Sequence, residues 1–168
     1  MTIFTPKTSK KLSFSSIILL FVLLFGIFSQ TACSKTEPCT LTANYTNDTN
    51  AGQKTAMIAF CTTNNITYTT HPSGILYQII TPGAATKPNL CETVSMTYTG
   101  LLLNGTKFDS GTISYSLSQL IMGWQISVPL IGKGGHMKVV IPSSLGYGDR
   151  AVGSIPANSP LYFDIVLN

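Results

Sequence analysis

The chain has 168 residues, 44% of them hydrophobic, 10% aromatic and 10% charged. That length leaves room for one compact domain and little more. The formal net charge is +4, but Lys7, Lys10 and Lys11 supply three of those charges and all precede Cys33, so the remainder is near neutral. A chain of this kind has no basic face for nucleic acid, and no nucleic-acid partner is expected.

Taken from the amino end, Lys7, Lys10 and Lys11 form a positive leader. An apolar run of about a dozen residues, 17–28, follows. It fits the core of a signal peptide and falls short of the roughly 20 residues a membrane-spanning helix needs. Ser29-Gln-Thr-Ala-Cys33 places small residues ahead of a cysteine, as lipoprotein processing requires. Residues 1–32 are therefore expected to be a lipoprotein signal peptide, with Cys33 the lipidated first residue of the mature chain. Ordinary secretory cleavage and an uncleaved anchor are the alternatives. Ser34 stands where an Asp commonly retains lipoproteins in the inner membrane, which favours the outer one. The four cysteines agree with export. With Cys33 acylated, three thiols remain and at least one is unpaired. Cys61 lies in an apolar helical pattern and suits a buried thiol. The sequence leaves the pairing among Cys39, Cys61 and Cys91 open and favours Cys39–Cys91. No CxxC pair or His/Cys cluster is present, so no metal and no cofactor are expected.

Residues 34–50 are polar and aperiodic and read as a tether. Met57, Ile58, Phe60 and Cys61 then recur at helical spacing, predicting a short amphipathic helix over 51–64 that Asn64-Asn65 ends. That helix is too short for an extended dimerisation arm, so a monomer is expected. Strands are predicted over 75–80, closed by Pro82-Gly83, and over 93–103, where Val94, Met96 and Tyr98 share one face. Asn104-Gly105 predicts a two-residue hairpin turn. The return strand starts at Thr106, with Ile113, Tyr115 and Leu117 alternating. Residues 123–131, which carry the single Trp, predict one or two helical turns, with Pro129 near an end. Gly132-Lys-Gly-Gly135 is a turn, and it lacks the pattern of a phosphate-binding loop. Residues 136–141 and 161–167 are further strands, separated by a long Gly-, Ser- and Pro-rich loop. A loop of that length in a compact domain is often functional. The result is an α+β chain. Its domains are expected at 1–32 (signal peptide), 33–71 (tether and short helix) and 72–168.

Five motifs then fall into register: Tyr98-Thr-Gly100, Asn104-Gly-Thr-Lys-Phe-Asp109, Leu120-Ile-Met-Gly-Trp124, Ile141-Pro-Ser-Ser-Leu-Gly-Tyr-Gly148 and Ile155-Pro-Ala-Asn-Ser-Pro-Leu-Tyr-Phe-Asp164. In order and spacing they resemble the FKBP family of peptidyl-prolyl cis-trans isomerases. Leu130-Ile-Gly-Lys-Gly-Gly135 is similar to bacterial lipoprotein members of it. The resemblance covers about Pro72 to Asn168 and implies a curved antiparallel β-sheet wrapped around one short α-helix, with an apolar pocket between them. It also implies the function, isomerisation of X-Pro bonds in exported polypeptides of a bacterial cell envelope, on its periplasmic side or at the cell surface. Clients would be proline-containing polypeptides, and macrolides are further expected ligands. Carried over residue by residue, Tyr98, Asp109 and Tyr147 are the catalytic candidates. Phe108, Tyr115, Leu120, Ile121, Trp124, Ile155 and Phe163 are the substrate-binding ones, with Trp124 as the indole floor and Tyr115 where the family usually has phenylalanine. Two other readings stay open: a module that holds proline-containing segments without catalysis, and a fold retained for structure alone. Without the motifs, the same aromatic residues in alternating strands would be read as ordinary core. His71 and His136 are expected to face solvent or to be satisfied by neighbours.

Overall fold

The computed structural model describes residues 51–168. The expectations for the signal peptide, the tether, Cys33 and Cys39 lie outside the described residues. Helix α1 is Ala51–Thr63, and strands β1 and β2 are Thr69–Thr70 and Leu76–Thr81. The long strands β3 and β4, Thr93–Leu102 and Lys107–Ser116, follow. Then come helix α2 (Met122–Ser127), β5 (His136–Ile141) and β6 (Leu161–Leu167). The strands form one antiparallel sheet in the order β1-β2-β5-β6-β3-β4, with β4 at an edge. The pairing of β1 with β2 draws Thr69–Thr70 into the sheet, upstream of the boundary expected at residue 72.

Side-chain alternation along the strands covers the sheet on both faces. Val139, Ile141, Leu161, Phe163 and Ile165 pack with Val94, Met96, Trp124, Ile126 and Val128 into the main core. Their neighbours Val140 and Tyr162, with Leu76, turn the other way and meet Met57, Phe60 and Cys61 of α1. The Phe60 and Tyr162 rings lie 5.1 Å apart, tilted by 48°. Helix α1 ends as its sequence predicts. Asn64 N–H and side-chain Nδ2 both bond the Phe60 carbonyl, Asn65 takes φ +54°, and Ile66 N–H reaches back to the Cys61 carbonyl.

Helix α2 is short because Pro129 follows it. The chain continues as a 3-10 turn over Val128–Leu130, where Pro129 stands near the start and its missing N–H costs nothing. Gly123 lets α2 approach the sheet, since a Cβ there would lie 2.5 Å from Ile141 Cγ2.

The hairpin between β3 and β4 differs from its prediction. Gly105 N–H bonds the Leu102 carbonyl, and Leu102 N–H bonds the Thr106 carbonyl. Gly105 has φ +85°, while Asn104 is not among the positive-φ residues. A two-residue turn of either hairpin type would need Asn104 at positive φ. The turn is instead a three-residue loop, Leu103–Gly105, with Gly105 at the left-handed position and the Asn104 side chain accepting from Thr106 N–H.

Cys91 is disulfide-bonded. Cys61 is a free thiol, and burial pushes it up from 9.0 to about 11.

Candidate functional site

A cavity of about 430 Å³ opens between the sheet and α2. A register shift in the β3–β4 ladder helps to build it. Gly100 pairs with Asp109 while Leu101 pairs with Lys107, so Phe108 is an extra residue on β4. In a regular strand, neighbours point to opposite faces. The bulge lets both Phe108 and Asp109 line the same cavity. Gly100, across the ladder, leaves space for the Phe108 and Phe163 rings.

Trp124 forms the floor, 4% exposed. Its ring is held edge-on by Tyr98 (centroids 5.0 Å apart, 77°) and by Phe163 (5.0 Å, 79°). Phe108 meets Phe163 at 5.6 Å and 89°. Each contact is of the edge-to-face kind that ring quadrupoles favour, worth about 0.5–1.5 kcal/mol beyond area burial. Trp124 Nε1 is buried without a hydrogen-bond partner among the described residues. Ile121 is the N-cap of α2, its carbonyl accepting from Trp124 N–H and Gln125 N–H. Its own N–H therefore stands outside the helix ladder. The Gln125 amide donates to the Leu120 carbonyl (2.7 Å) and the Ser118 carbonyl (3.1 Å), fixing the turn that delivers Leu120 and Ile121.

The polar edge consists of Tyr98, Asp109 and Tyr147. Tyr98 Oη donates to Asp109 Oδ2 at 2.5 Å, and Ser110 N–H donates to Asp109 Oδ1 at 2.8 Å. Both carboxylate oxygens are thus engaged, and Asp109 fixes the Tyr98 ring. Burial, then the bond to Asp109 and the charges of Asp109 and Tyr147, push the Tyr98 phenol up from 10.0 to about 12. Burial and then Asp109 also raise Tyr147. Both phenols stay protonated near neutral pH and can donate.

The structure brings Tyr98, Phe108, Asp109, Tyr115, Leu120, Ile121, Trp124, Tyr147 and Phe163 together around this cavity, with Tyr115 on its rim at 54% exposure. Ile155 does not line it. A two-way backbone bridge with Val152 pins Ile155, and its side chain is buried in the core at 5% exposure. Two further residues do line it: Ile113 and Gln119. Ile113 shares the alternation of Tyr115 two residues on, which is a readable signal. Gln119 owes its place to the 3-10 turn Leu117–Gln119, which no periodicity announces. His71 Nδ1 lies 2.9 Å from Ser73 Oγ, and His136 Nε2 lies 2.6 Å from Asp164 Oδ1 across the β5–β6 pair. Among the described residues no group of three His, Cys, Asp or Glu is placed to hold a metal ion.

A curved sheet that closes on a short helix, leaving an aromatic-floored cleft between them, defines a binding fold for a compact apolar group. The comparisons identify its kind. A family model described as FKBP-type peptidyl-prolyl cis-trans isomerase matches residues 84–168, and the chain belongs to this family. It is 42% identical over 100 residues to the FKBP-type peptidyl-prolyl cis-trans isomerase FkpA of Aeromonas hydrophila, covering 56% of this chain and 37% of that one. It is 40% identical over 102 residues to the outer membrane protein MIP of Legionella longbeachae, covering 57% and 44%. The chain thus spans about two fifths of the length of these curated relatives. Among solved structures, FkpA from Escherichia coli superposes with a TM-score of 0.63 at 28% identity, over 94% of this chain and 72% of that one. A peptidyl-prolyl cis-trans isomerase from Pseudomonas syringae pv. tomato gives 0.59 at 30% identity, over 67% and 89%.

Proposed function

We propose that the chain is a peptidyl-prolyl cis-trans isomerase that accelerates X-Pro rotation in exported polypeptides by binding the twisted amide in the cavity over Trp124. The observation that carries this reading is the cavity itself: mostly apolar-walled, about 430 Å³, open to solvent, with phenol hydroxyls on one edge and aromatic rings beneath. That volume is in the range of small-ligand sites, about 300–1,000 Å³.

Peptide-bond resonance sets a rotation barrier of about 18–20 kcal/mol, and uncatalysed X-Pro bonds exchange in tens to hundreds of seconds. Catalysis here needs neither nucleophile nor proton transfer. It needs a site that prefers the out-of-plane amide to either planar form. At ninety degrees the nitrogen and carbonyl lose conjugation and charge separation falls, so an apolar pocket stabilises that state relative to water. The prolyl ring seats on Trp124 between Tyr98, Phe108, Ile121 and Phe163, with Leu120 and Tyr115 along the approach. The Ile121 N–H and Tyr147 hydroxyl hold the flanking peptide while the acyl side turns. Asp109 keeps Tyr98 in place as a wall. Macrolides compete for the same cavity.

The reading also places the protein in a bacterial envelope. Residues 1–32 act as a signal peptide, Cys33 carries lipid that anchors a monomer to the outer membrane, and residues 72–168 form the isomerase domain. A relative named as an outer membrane protein and the Ser-Gln-Thr-Ala-Cys33 sequence support this. Cys39 is the partner assigned to Cys91.

The deciding measurement is the exchange rate of a Pro-containing tetrapeptide. Wild type accelerates it, and Tyr147→Phe lowers kcat/KM roughly 3- to 10-fold, the worth of one hydrogen bond of about 0.5–1.5 kcal/mol. Peptide binding without acceleration by wild type overturns the enzymatic reading. Cys33→Ala moves the protein from the membrane to the soluble fraction with kcat/KM unchanged. Retention on the membrane overturns the anchor.

A further inference from the structure

Tyr147 lies in the long segment between β5 and β6, and such a segment gives little intrinsic precision to a hydroxyl. The internal bonds of this one form a chain. Gly148 N–H bonds the Ser143 carbonyl (2.8 Å), and Asn158 N–H bonds the Gly148 carbonyl (2.8 Å), with Asn158 held at φ +59°. Ser143, at one end of that chain, and Asn158, at the other, are both taken by one side chain from outside the loop. Gln53 Oε1 accepts from Ser143 N–H at 3.2 Å. Gln53 Nε2 donates to Ser143 Oγ at 2.8 Å and to the Asn158 carbonyl at 3.2 Å. The contacts close a ring, Gln53–Ser143–Gly148–Asn158–Gln53, that passes directly beside Tyr147. A primary amide suits this task because it offers an acceptor and two donors in one plane.

We propose that Gln53 of α1 is a positioning residue that fixes the Tyr147 loop over the cavity, so that the helix on the far face of the sheet sets the placement of a donor in the site. Gln53 is 90 residues from Ser143 in sequence and 105 from Asn158, lies upstream of the family match at 84–168, and does not line the cavity. The amide adds a tie from α1 to a loop that otherwise holds itself through its own backbone bonds and through Leu145 and Ile155 packed in the core. The inference rests on the isomerase reading and on Tyr147 acting through its hydroxyl.

The test is a double-mutant cycle on the full chain with the same tetrapeptide assay, comparing wild type, Gln53→Ala, Tyr147→Phe and the pair. Gln53→Ala is expected to lower kcat/KM about 3- to 10-fold in the Tyr147 background and less than about twofold in the Phe background, because the hydroxyl it positions is already gone. Gln53→Glu, which keeps acceptors for Ser143 but loses the donor to Asn158, is expected to recover part of the loss. Ser143→Ala, which removes the hydroxyl contact and spares the backbone one, should sit between wild type and Gln53→Ala. Equal losses in both backgrounds overturn the proposal, since a merely structural role would be additive. So does an unchanged rate in Gln53→Ala. Inactive wild type sinks the isomerase reading instead, and the two failures are thereby told apart.

Discussion

At Gly100 a Cβ would lie 2.6 Å from Cζ and 2.7 Å from Cε2 of Phe108, and 3.0 Å from Cε1 of Phe163. The Phe108 ring is at the open side of the packing and would have to give way into the cavity. Gly100→Ala is therefore expected to lower kcat/KM about tenfold and stability by about 1–3 kcal/mol, the usual cost of overpacking. Gly111→Ala, in the same hairpin with nothing within 4 Å of its Cβ, should change stability by no more than about 0.5 kcal/mol. Peptide isomerisation and urea titration of the two variants check this, and equal behaviour would show that the ring is not held as described. Individual residues were legible to different degrees. Phe108 and Asp109 stand next to each other, and alternation would send them to opposite faces. The motif resemblance joined them in one site, and the bulge is the physical reason it could. Ile155 lies in a motif too, but a local backbone bridge turned it into the core, and nothing in the residue types foretold that.

Among the elements, the β3–β4 hairpin offers the cleanest test of backbone conformation. Gly105 sits at φ +85° with open space around its Cβ position, so a side chain there meets strain but no clash. Gly105→Ala is expected to cost about 1 kcal/mol in urea unfolding with an unchanged denaturant slope, and to leave the cavity intact. A cost near zero would mean the turn can relax to another type at no expense. The strands themselves were readable because β-branched and aromatic residues alternate or run between Gly and Pro. The site of α1 was readable only in part. The spacing of Met57, Phe60 and Cys61 predicts an apolar stripe and says nothing of what it covers. The complementary signal lies far off in Val139-Val140-Ile141 and Leu161-Tyr162-Phe163. Such unbroken apolar runs imply strands covered on both faces, and so call for a second layer. Asn104-Gly105 misled by one position because a two-residue and a three-residue loop share the same Asn-Gly signature, and the ladder's register decides between them.

Across the whole molecule, the groups whose proton affinity the fold alters clearly in the alkaline direction lie on both faces of the sheet. Burial raises Cys61 from 9.0 to about 11 under α1, and burial with Asp109 raises Tyr98 from 10.0 to about 12 beside the cavity. Tyr147 and Tyr162 move up as well, Tyr162 through burial and then Asp164. In each case the folded chain keeps a proton that the unfolded chain releases at lower pH. The native state then binds more protons than the unfolded one, so stability falls as pH rises. Below the unfolded values, near pH 9 for the thiol and pH 10 for the phenols, these groups leave stability unchanged. Above them the loss begins with Cys61 and continues through Tyr98. The urea midpoint is expected to be insensitive to these groups near neutrality and to drop steadily between about pH 9 and about pH 12. Cys61→Ala should flatten the first part of that fall. Tyr98→Phe should flatten the later part, while lowering stability at neutral pH because it deletes the bond to Asp109. A midpoint constant through the same interval, or a fall of equal slope in Cys61→Ala, would mean that burial of these groups is not what the fold maintains at high pH.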